Sequence, residues 1–372
     1  MRILLAHGDL RAGGGAEAVA RAVHARLRAA GHAVDVLDIH GLARPDGTRA
    51  GAWPLLIGRL PGLSHLHLLK YALVCRVLPR LARDHGTVVL TYGEAPALPC
   101  PALTLRHAPV LFSARPADLA VIGAAGRGPV YMAVRRVYAR ACMRIAGLSR
   151  NAPATPTLAN SRWTARRAVR ADPRLAPALL YPPCPARAIR RDRPEPMRIL
   201  ALGRITTGKR LDEAVDIANR LVAKGWPVTL DIAGRAGTRA ARRLIRRHAG
   251  RPGIAFHPDL PGPELAVLMA RARLGLHCAR HEHFGMAVAE MIAAGIVPVV
   301  HDSGGVRELV PLPELRFRRP ADAAARLASL LASPMQHTET LARRLARTPA
   351  LTAGQGFDRV LDGHLARFLS GA

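Results

Sequence analysis

Two glutamates stand out because their spacing could serve chemistry on a charged, hydroxylated substrate. Glu282 and Glu290 lie in the stretch HEHFGMAVAEMIAAG, whose apolar, alanine-rich run predicts a helix after Gly285. The free N–H groups at the start of such a helix favour an anion such as phosphate. Glu290 could then accept a hydrogen bond from a ribose, and Glu282 from a sugar ring. Alternatively, Glu290 is a solvated helix residue and Glu282 only interacts with the helix dipole.

The same stretch also raises the question of a zinc site, since it contains two histidines and a glutamate. An H-E-x-x-H motif would need a histidine where the sequence has Gly285. We therefore expect no metal at this position.

Two cations precede another predicted helix, in the stretch GRITTGKRLDEA that begins at Gly203. Arg204 and Lys209 together suit a diphosphate, because a guanidinium is a bidentate donor and an ammonium is a point charge. Lys209 is informative since Arg fills nearly all other basic positions of the chain. A second glycine turn, SGGVRELV at 303–310, also follows a predicted strand. The alternative for Arg204 and Lys209 is a solvated loop.

The elements that position these residues form two similar units. MRIL occurs at 1–4 and again at 197–200, each time as a strand that leads into a glycine and then a helix. Short apolar strands that alternate with helices predict parallel sheets covered on both faces, with ligands at the carboxyl ends of the strands. We predict an α/β protein with an N-terminal domain at 1–183, a Pro- and Arg-rich linker at 184–196 and a C-terminal domain at 197–355. A last helix at 356–372 is either an ordinary terminal helix or returns to the first domain.

Charge and composition restrict the function class. The net charge of +29 predicts attraction to polyanions, although Arg excess is also typical of an Ala-, Gly- and Pro-rich composition. A nucleic-acid-binding protein is the first alternative, but aromatic residues make up only 4% and few lie in basic runs. The five scattered cysteines indicate free thiols in a reducing compartment. The N-terminus does not resemble a signal peptide, and no apolar run is long enough to span a membrane.

The segment at 54–81 is apolar but contains Arg59, Lys70 and Arg76. It is either a helix pair of the core with a Pro-Gly turn or a surface that lies on a membrane.

These motifs together resemble the retaining glycosyltransferases of family four, which have the GT-B fold. The wording EHFG…AAG…PVVHDSGG is most similar to mannosyltransferases that extend lipid-linked oligosaccharides and to their prokaryotic relatives. GRITTGKR resembles the phosphate loop of the family, and GGGAE at 13–17 resembles its N-terminal glycine loop. LANSRWTARRA at 158–168 and LYPP at 180–183 resemble the segments that close the first domain. The resemblance implies two Rossmann-like domains whose parallel sheets face each other across a cleft.

The resemblance also implies a role for each site residue. Arg204 and Lys209 would bind the donor diphosphate, Glu290 the ribose, and Glu282 the transferred sugar. The further residues that it implies, in donor binding or next to the sugar, are Gly14, Gly15, His107, Gly203, Gly234, Arg235, Phe284, Gly285 and Met286. His107 would match a histidine that contacts the donor sugar, although its flanking residues fit less well.

The implied reaction is transfer of mannose, or another hexose, from a nucleotide diphosphate to a hydroxyl of a glycan or lipid-linked acceptor. The donor would be GDP-mannose or a UDP-sugar, with no metal, no other cofactor and no nucleic acid as a partner. Such an enzyme would be cytoplasmic, with an anionic membrane surface as a further partner. The alternatives are the nucleic-acid-binding protein, a nucleotide-sugar enzyme of another class, and a module that only binds.

Overall fold

The computed structural model describes residues 1–11, 14–51, 53–57, 60, 66–108, 112, 128–149, 154–184 and 194–370. These residues form two compact α/β units. The first contains the described residues up to Pro183 together with the C-terminal helix, and the second runs from Cys184 to Gln355.

The first unit is built on an eight-stranded sheet in the order β4-β3-β2-β1-β5-β6-β7-β8. Its strands are β1 (Arg2–Ala6), β2 (Ala33–Asp38), β3 (Gly41–Ala43), β4 (Arg49–Ala50), β5 (Thr87–Leu90), β6 (Ala102–Arg106), β7 (Thr157–Ala159) and β8 (Ala178–Leu179). All pairs are parallel except β2 with β3 and β3 with β4. The chain leaves β1 for β2 on one side and reaches β5 on the other, so the order reverses at β1.

Helices cover both faces of this sheet. Those within the described residues are α1 (Gly15–Ala29), α2 (Trp53–Ile57), α3 (His67–Leu81), α4 (Pro129–Ile145) and α5 (Arg162–Ala171). Alternate residues of β1 separate the two cores: Ile3 and Leu5 pack with α1, whereas Leu4 and Ala6 pack with α3. This alternation follows from the two-residue period of a strand.

The second unit has a six-stranded, fully parallel sheet in the order β11-β10-β9-β12-β13-β14. Its strands are β9 (Glu195–Leu202), β10 (Thr229–Gly234), β11 (Ile254–Pro258), β12 (Ala272–His277), β13 (Val297–His301) and β14 (Arg316–Phe317). In order of appearance this is 3-2-1-4-5-6, the doubly wound arrangement of nucleotide-binding sheets. The order reverses between β9 and β12, and ligands bind at such a point beyond the carboxyl ends of the strands.

The second unit has helices on both faces of its sheet, and β12 and β13 are buried along their whole length. The described helices are α6 (Leu211–Val222), α7 (Arg239–His248), α8 (Gly262–Arg271), α9 (Met286–Ala293), α10 (Val306–Leu309), α11 (Pro320–Ala332), α12 (Met335–Ala346) and α13 (Pro349–Gln355). Complete burial of the strands explains why the sequence shows continuous apolar runs instead of an alternating pattern.

The C-terminal helix α14 (Phe357–Ser370) belongs to the first unit. Its buried side chains Phe357, Leu361 and Leu365 join the core that contains Ile3 and Leu5. Arg26 of α1 donates to Asp362, and the His364 ring lies 3.3 Å from the carbonyl oxygen of Leu179. The polypeptide therefore passes through the second unit and returns to complete the core of the first.

The two MRIL stretches predicted as strands, 1–4 and 197–200, overlap β1 and β9, but short strands escape the sequence analysis. β3 and β4 hold only three and two residues, which is too short for a hydrophobic period. β9 begins at Glu195, inside the segment predicted as a linker, while residues 185–193 lie outside the described part of the chain. Residues 58–59 and 61–65 of the apolar segment at 54–81 also lie outside it. Among the described residues, no helix combines the length and the apolar character that crossing a membrane requires.

Replacement of Leu361, whose side chain is fully buried, tests the contribution of α14 to the first unit. We expect Leu361→Ala to lower the free energy of unfolding by about 2–5 kcal/mol, because it leaves a cavity in a shared core. Chemical denaturation followed by tryptophan fluorescence measures this loss. Arg359→Ala, at an exposed position of the same helix, should change stability by no more than about 0.5 kcal/mol. Equal effects of the two substitutions would contradict this packing.

Candidate active site

The loop after β9 carries the two predicted cations. Gly203 has φ +136°, and a Cβ added there would lie 3.4 Å from Lys209 Cε, so the glycine allows the lysine side chain to cross the strand end. A short 3₁₀ turn, Thr207–Lys209, leads into α6 through Arg210, which has a left-handed backbone with φ +53°. Arg204 is exposed at the end of β9, whereas Lys209 is partly buried.

Glu282 follows β12 and contacts Lys209. The Lys209 Nζ donates to Glu282 Oε2 at 2.5 Å, although the two residues are 73 positions apart in the chain. His277, the last residue of β12, places its Nε2 3.4 Å from the same oxygen. Because β9 and β12 lie side by side where the strand order reverses, the sheet brings a cation, a carboxylate and an imidazole to one point.

The pKa values at this point are set by burial and by Lys209. Burial alone would raise the pKa of Glu282, but the Lys209 charge and the nearby His277 hold it well below its usual value. Burial lowers the pKa of His277, and Lys209 lowers it further. At neutral pH, Glu282 is therefore an ionised carboxylate and His277 a neutral imidazole.

The glycine turn after β13 fixes the backbone around Glu282. Gly305 N–H donates to the Glu282 carbonyl oxygen at 2.7 Å, and Ser303 Oγ accepts from His281 N–H at 2.8 Å. Gly304 has φ +82°, and a Cβ there would lie 2.3 Å from the Glu282 carbonyl oxygen. The two glycine-containing turns thus act together: one allows Lys209 to reach the point, and the other holds Glu282 there.

Helix α9 begins directly after this loop at Gly285, whose φ of +105° is left-handed. The Gly285 carbonyl oxygen accepts from the N–H groups of Val288 and Ala289. Glu290 is half-buried on α9; burial raises its pKa and the charge of Lys209 opposes that rise. The charge of Lys209 therefore lowers the pKa of Glu290 as well as that of Glu282, in each case against the effect of burial.

The remaining predicted residues of the second unit lie around this group. Gly234, at the end of β10, approaches β9 so closely that a Cβ would lie 1.9 Å from the Gly203 carbonyl oxygen. Arg235 is exposed next to it, and its carbonyl oxygen accepts from the Ile205 N–H at 2.8 Å. Phe284 is buried, so only its backbone is available to a ligand, while Met286 is half-buried at the start of α9.

Sequence reasoning missed several titratable residues beside the site, among them His277. Glu213 of α6 is buried, accepts from Arg210 Nε at 2.6 Å and lies 3.6 Å from Arg280 Nη2. His301, the last residue of β13, has its pKa lowered to about 4 by burial and by the nearby Arg280. A signal for two of these residues exists in the sequence: His277 and His301 each end a buried apolar strand, where a ligand-facing edge is expected.

The predicted residues of the first unit are placed on its own sheet edge. Gly14 caps α1 with an extended backbone and Gly15 is the first helical residue, whereas Gly13 lies outside the described residues. His107 follows β6; its N–H donates to the Tyr92 carbonyl oxygen, and its own carbonyl oxygen accepts from Asn160.

One group in the described part of the first unit has the residue types of a metal site: Asp9, Asp38 and His40. Lys70 Nζ donates to Asp9 Oδ2 at 2.7 Å, and the His40 Nε2 lies 3.2 Å from Asp9 Oδ1. An ammonium group therefore already neutralises Asp9, and its charge is among the causes that lower the pKa of this carboxyl against the effect of burial.

Comparison with known proteins gives a family match over most of the second unit. A model of the family "Glycosyl transferases group 1" matches residues 186–346, which include Lys209, Glu282 and Glu290. Residues 186–346 therefore form a glycosyl transferases group 1 domain. The resemblance that the motifs indicated is confirmed for this part of the chain.

The curated relatives of this glycosyltransferase domain include mannosyltransferases. The chain is 26% identical, over 40% of its length and 36% of the relative, to the GDP-Man:Man(3)GlcNAc(2)-PP-Dol alpha-1,2-mannosyltransferase of Caenorhabditis elegans. It is 30% identical, over 41% of its length and 40% of the relative, to the GDP-mannose-dependent alpha-(1-6)-phosphatidylinositol dimannoside mannosyltransferase of Mycobacterium tuberculosis. The matches thus span less than half of the length of these two curated relatives.

Solved structures extend the likeness to the whole chain. WaaG, a glycosyltransferase involved in lipopolysaccharide biosynthesis, aligns with 98% of this chain and 100% of its own at a TM-score of 0.67 and 14% identity. Sucrose-phosphate synthase from Thermosynechococcus elongatus covers 100% of this chain and 99% of its own, at a TM-score of 0.65 and 17% identity. These neighbours and the two parallel-sheet units identify the fold as GT-B, so the predicted fold class is confirmed.

Substitution of Gly304 tests whether the glycine turn holds Glu282. We expect Gly304→Ala to destabilise the protein and to move the pKa of Glu282 toward its usual value, because the added Cβ forces the backbone at 281–282 away from Lys209. Thermal unfolding and carboxyl ¹³C NMR of Glu282 measure the two effects.

The matched control for this substitution is Gly250→Ala. Gly250 has a similar φ of +75°, but a Cβ there meets nothing within 4 Å. Gly250→Ala should therefore lower the free energy of unfolding by only about 1–2 kcal/mol, which is the cost of a left-handed backbone at alanine. The pKa of Glu282 should stay unchanged. A Glu282 pKa that responds equally to both substitutions would refute this role of the turn.

Proposed function

We propose that the protein is a retaining glycosyltransferase that transfers mannose from GDP-mannose to a hydroxyl of a glycan or lipid-linked acceptor. The observation that carries the proposal is the contact between Lys209 and Glu282 at the reversal point of the second sheet. A cation for a diphosphate and a carboxylate for a sugar meet there inside the glycosyl transferases group 1 domain.

The donor diphosphate would be bound by Arg204, Lys209 and the first N–H groups of α9. Cleavage of the sugar–phosphate bond moves an electron pair onto a phosphate oxygen, and these groups stabilise the charge that develops there. They require no metal, so we propose a metal-independent reaction. Among the described residues, the one group with the residue types of a metal site is the Asp9 group of the first unit, and Lys70 already neutralises Asp9 there.

The transferred sugar would lie against Glu282 and the backbone at 284–286. The anomeric carbon gains positive character as its bond to phosphate breaks, and an ionised carboxylate stabilises that charge. The depressed pKa of Glu282 makes it an anion at neutral pH and unsuited to act as a general acid. The acceptor hydroxyl would attack from the face that the phosphate leaves and give its proton to the departing phosphate oxygen.

The nucleoside would extend from the diphosphate along the second unit. Glu290 would accept hydrogen bonds from the ribose hydroxyls, and the base would rest on backbone at Gly234 and Arg235. In the first unit, Gly14 and Gly15 remain candidates for phosphate contacts and His107 for a contact with the donor sugar. These assignments rest on the motif resemblance; the half-burial of Glu290 beside the Lys209 charge supports the first of them.

The acceptor would be bound by the N-terminal domain, predicted at 1–183. A lipid-linked acceptor is supported by the names of the relatives, which act on dolichol-linked and phosphatidylinositol-linked substrates. We therefore propose that the protein works as a peripheral enzyme at the cytoplasmic face of a membrane.

Replacement of Lys209 tests donor binding. We expect Lys209→Ala to weaken GDP or GDP-mannose binding by about 10- to 100-fold, because one charge-assisted interaction with the diphosphate is lost. Isothermal titration calorimetry with GDP, UDP and ADP, repeated in EDTA, measures the affinity, the base preference and any metal requirement.

Lys224→Ala is the matched control, since it removes an exposed lysine from the same unit. Its nucleotide affinity should equal that of the wild type. The proposal fails if no nucleotide diphosphate binds while DNA or RNA binds tightly and in a salt-sensitive manner.

Replacement of Glu282 tests the role of its charge in catalysis. We expect Glu282→Gln to lower kcat by on the order of 10²–10³-fold while GDP affinity changes little, because the amide keeps a polar contact to Lys209 but removes the negative charge beside the sugar. Mannose transfer to a lipid-linked acceptor, measured with radiolabelled donor, gives kcat. If kcat stays within twofold of the wild type, Glu282 does not stabilise the reacting sugar.

A further inference from the structure

Helix α4 of the first unit has an exposed apolar stripe. Val130, Val134 and Val137 are 76%, 63% and 66% exposed. Their spacing of four and three residues places them on one side of the helix. These are three of the eight exposed large hydrophobic side chains among the described residues.

The opposite side of α4 is fixed in the core, so the stripe has a defined direction. Ala139 and Cys142 pack against Tyr71 and Cys75 of α3 in a buried cluster. The Tyr138 hydroxyl accepts from the Leu69 N–H at 3.1 Å, which ties α4 to the start of α3. Rotation of α4 about its axis would break these contacts, and the valines therefore remain on the surface.

An arginine stripe lies beside the valines. Arg136, Arg140 and Arg144 are exposed and recur every four residues, and α4 contains no acidic residue. The helix thus combines an apolar strip with a row of positive charge that has no acidic residue on the same helix. We call this surface the α4 outer face; it comprises Val130, Val134, Val137, Arg136, Arg140 and Arg144.

The same helical layer carries further exposed apolar residues. Helix α3 contacts both α2 and α4. Leu56 of α2, and Leu60 shortly after it, are each 51% exposed. Exposed apolar side chains on two helices of one layer are unusual for a surface that faces only water.

We propose that the α4 outer face binds an anionic lipid surface, with the helix lying along the membrane. The valines would enter the boundary between head groups and acyl chains, and the arginines would bind lipid phosphates. Charge decides this occupant, because three arginines without a neighbouring acid on the helix match an anionic membrane. The inference deepens the proposed function, since it assigns the membrane contact of a lipid-linked transferase to one surface.

The test is flotation of the full chain with vesicles of phosphatidylcholine alone or with 30% phosphatidylglycerol. We expect binding to the anionic vesicles that weakens in high salt. The substitution R136Q/R140Q/R144Q should lower the partition coefficient by on the order of 100-fold, at about fivefold for each arginine. The substitution V130S/V134S/V137S should lower it by on the order of tenfold, through loss of apolar insertion.

Matched controls separate this surface from the general positive charge of the chain. R239Q/R242Q/R246Q removes three exposed arginines from α7 of the second unit, and V222S/V267S removes two exposed valines from the same unit. Both controls should bind vesicles like the wild type, and circular dichroism should show that every variant is folded.

Three outcomes would overturn the inference. The first is the absence of binding to anionic vesicles. The second is an equal loss of binding in the α4 and α7 arginine variants, which would indicate attraction by net charge alone. The third is a dimer that the valine variant converts to a monomer without any change in vesicle binding.

Vesicle binding and the proposed reaction can fail separately. If GDP and GDP-mannose do not bind but flotation behaves as expected, the proposed function fails and the α4 outer face stands. If donor binding is intact and flotation fails, only the membrane surface is wrong.

Discussion

The ion pair between Lys209 and Glu282 is the interaction on which the candidate site depends. A buried carboxylate is costly unless a cation offsets the loss of hydration, and Lys209 is the partner that keeps Glu282 ionised. The two residues come from loops after β9 and β12, which neighbour each other only because the strand order reverses between them. His277 and Glu290 then experience the same charge, so one lysine shifts three pKa values.

Close backbone approach is the second constraint, and glycine meets it. At Gly234 and Gly304 an added Cβ would lie 1.9 Å and 2.3 Å from a neighbouring carbonyl oxygen, which no side chain could tolerate without movement of the backbone. These contacts join β10 to β9 and the turn after β13 to the loop after β12. The glycine-rich turns thus define the geometry of the site as much as the charged side chains do.

The cationic side chains of the two units differ in their partners. In the second unit, Lys209, Arg210 and Arg280 lie against buried or partly buried carboxylates. In the first unit, the arginines of α4 project from an exposed helix without acidic neighbours on that helix. An arginine excess is typical of an Ala-, Gly- and Pro-rich composition. The burial and the partners of each arginine decide whether that residue contributes to a site.

The sequence alone determined the two α/β units, the strands at the two MRIL stretches and the residue types of the site, because apolar periods and glycine turns are local signals. Lys209 could be predicted from one motif, and Glu282 and Glu290 from a second one. Only the tertiary structure decided that Lys209 contacts Glu282, that His277 and Glu213 lie beside them, and that Phe284 offers only its backbone. Strand order controls those contacts, and it depends on long-range packing that a local pattern does not encode. The same holds for α14, whose helical period was visible in the sequence but whose place in the core of the first unit was set by the complementary apolar face there.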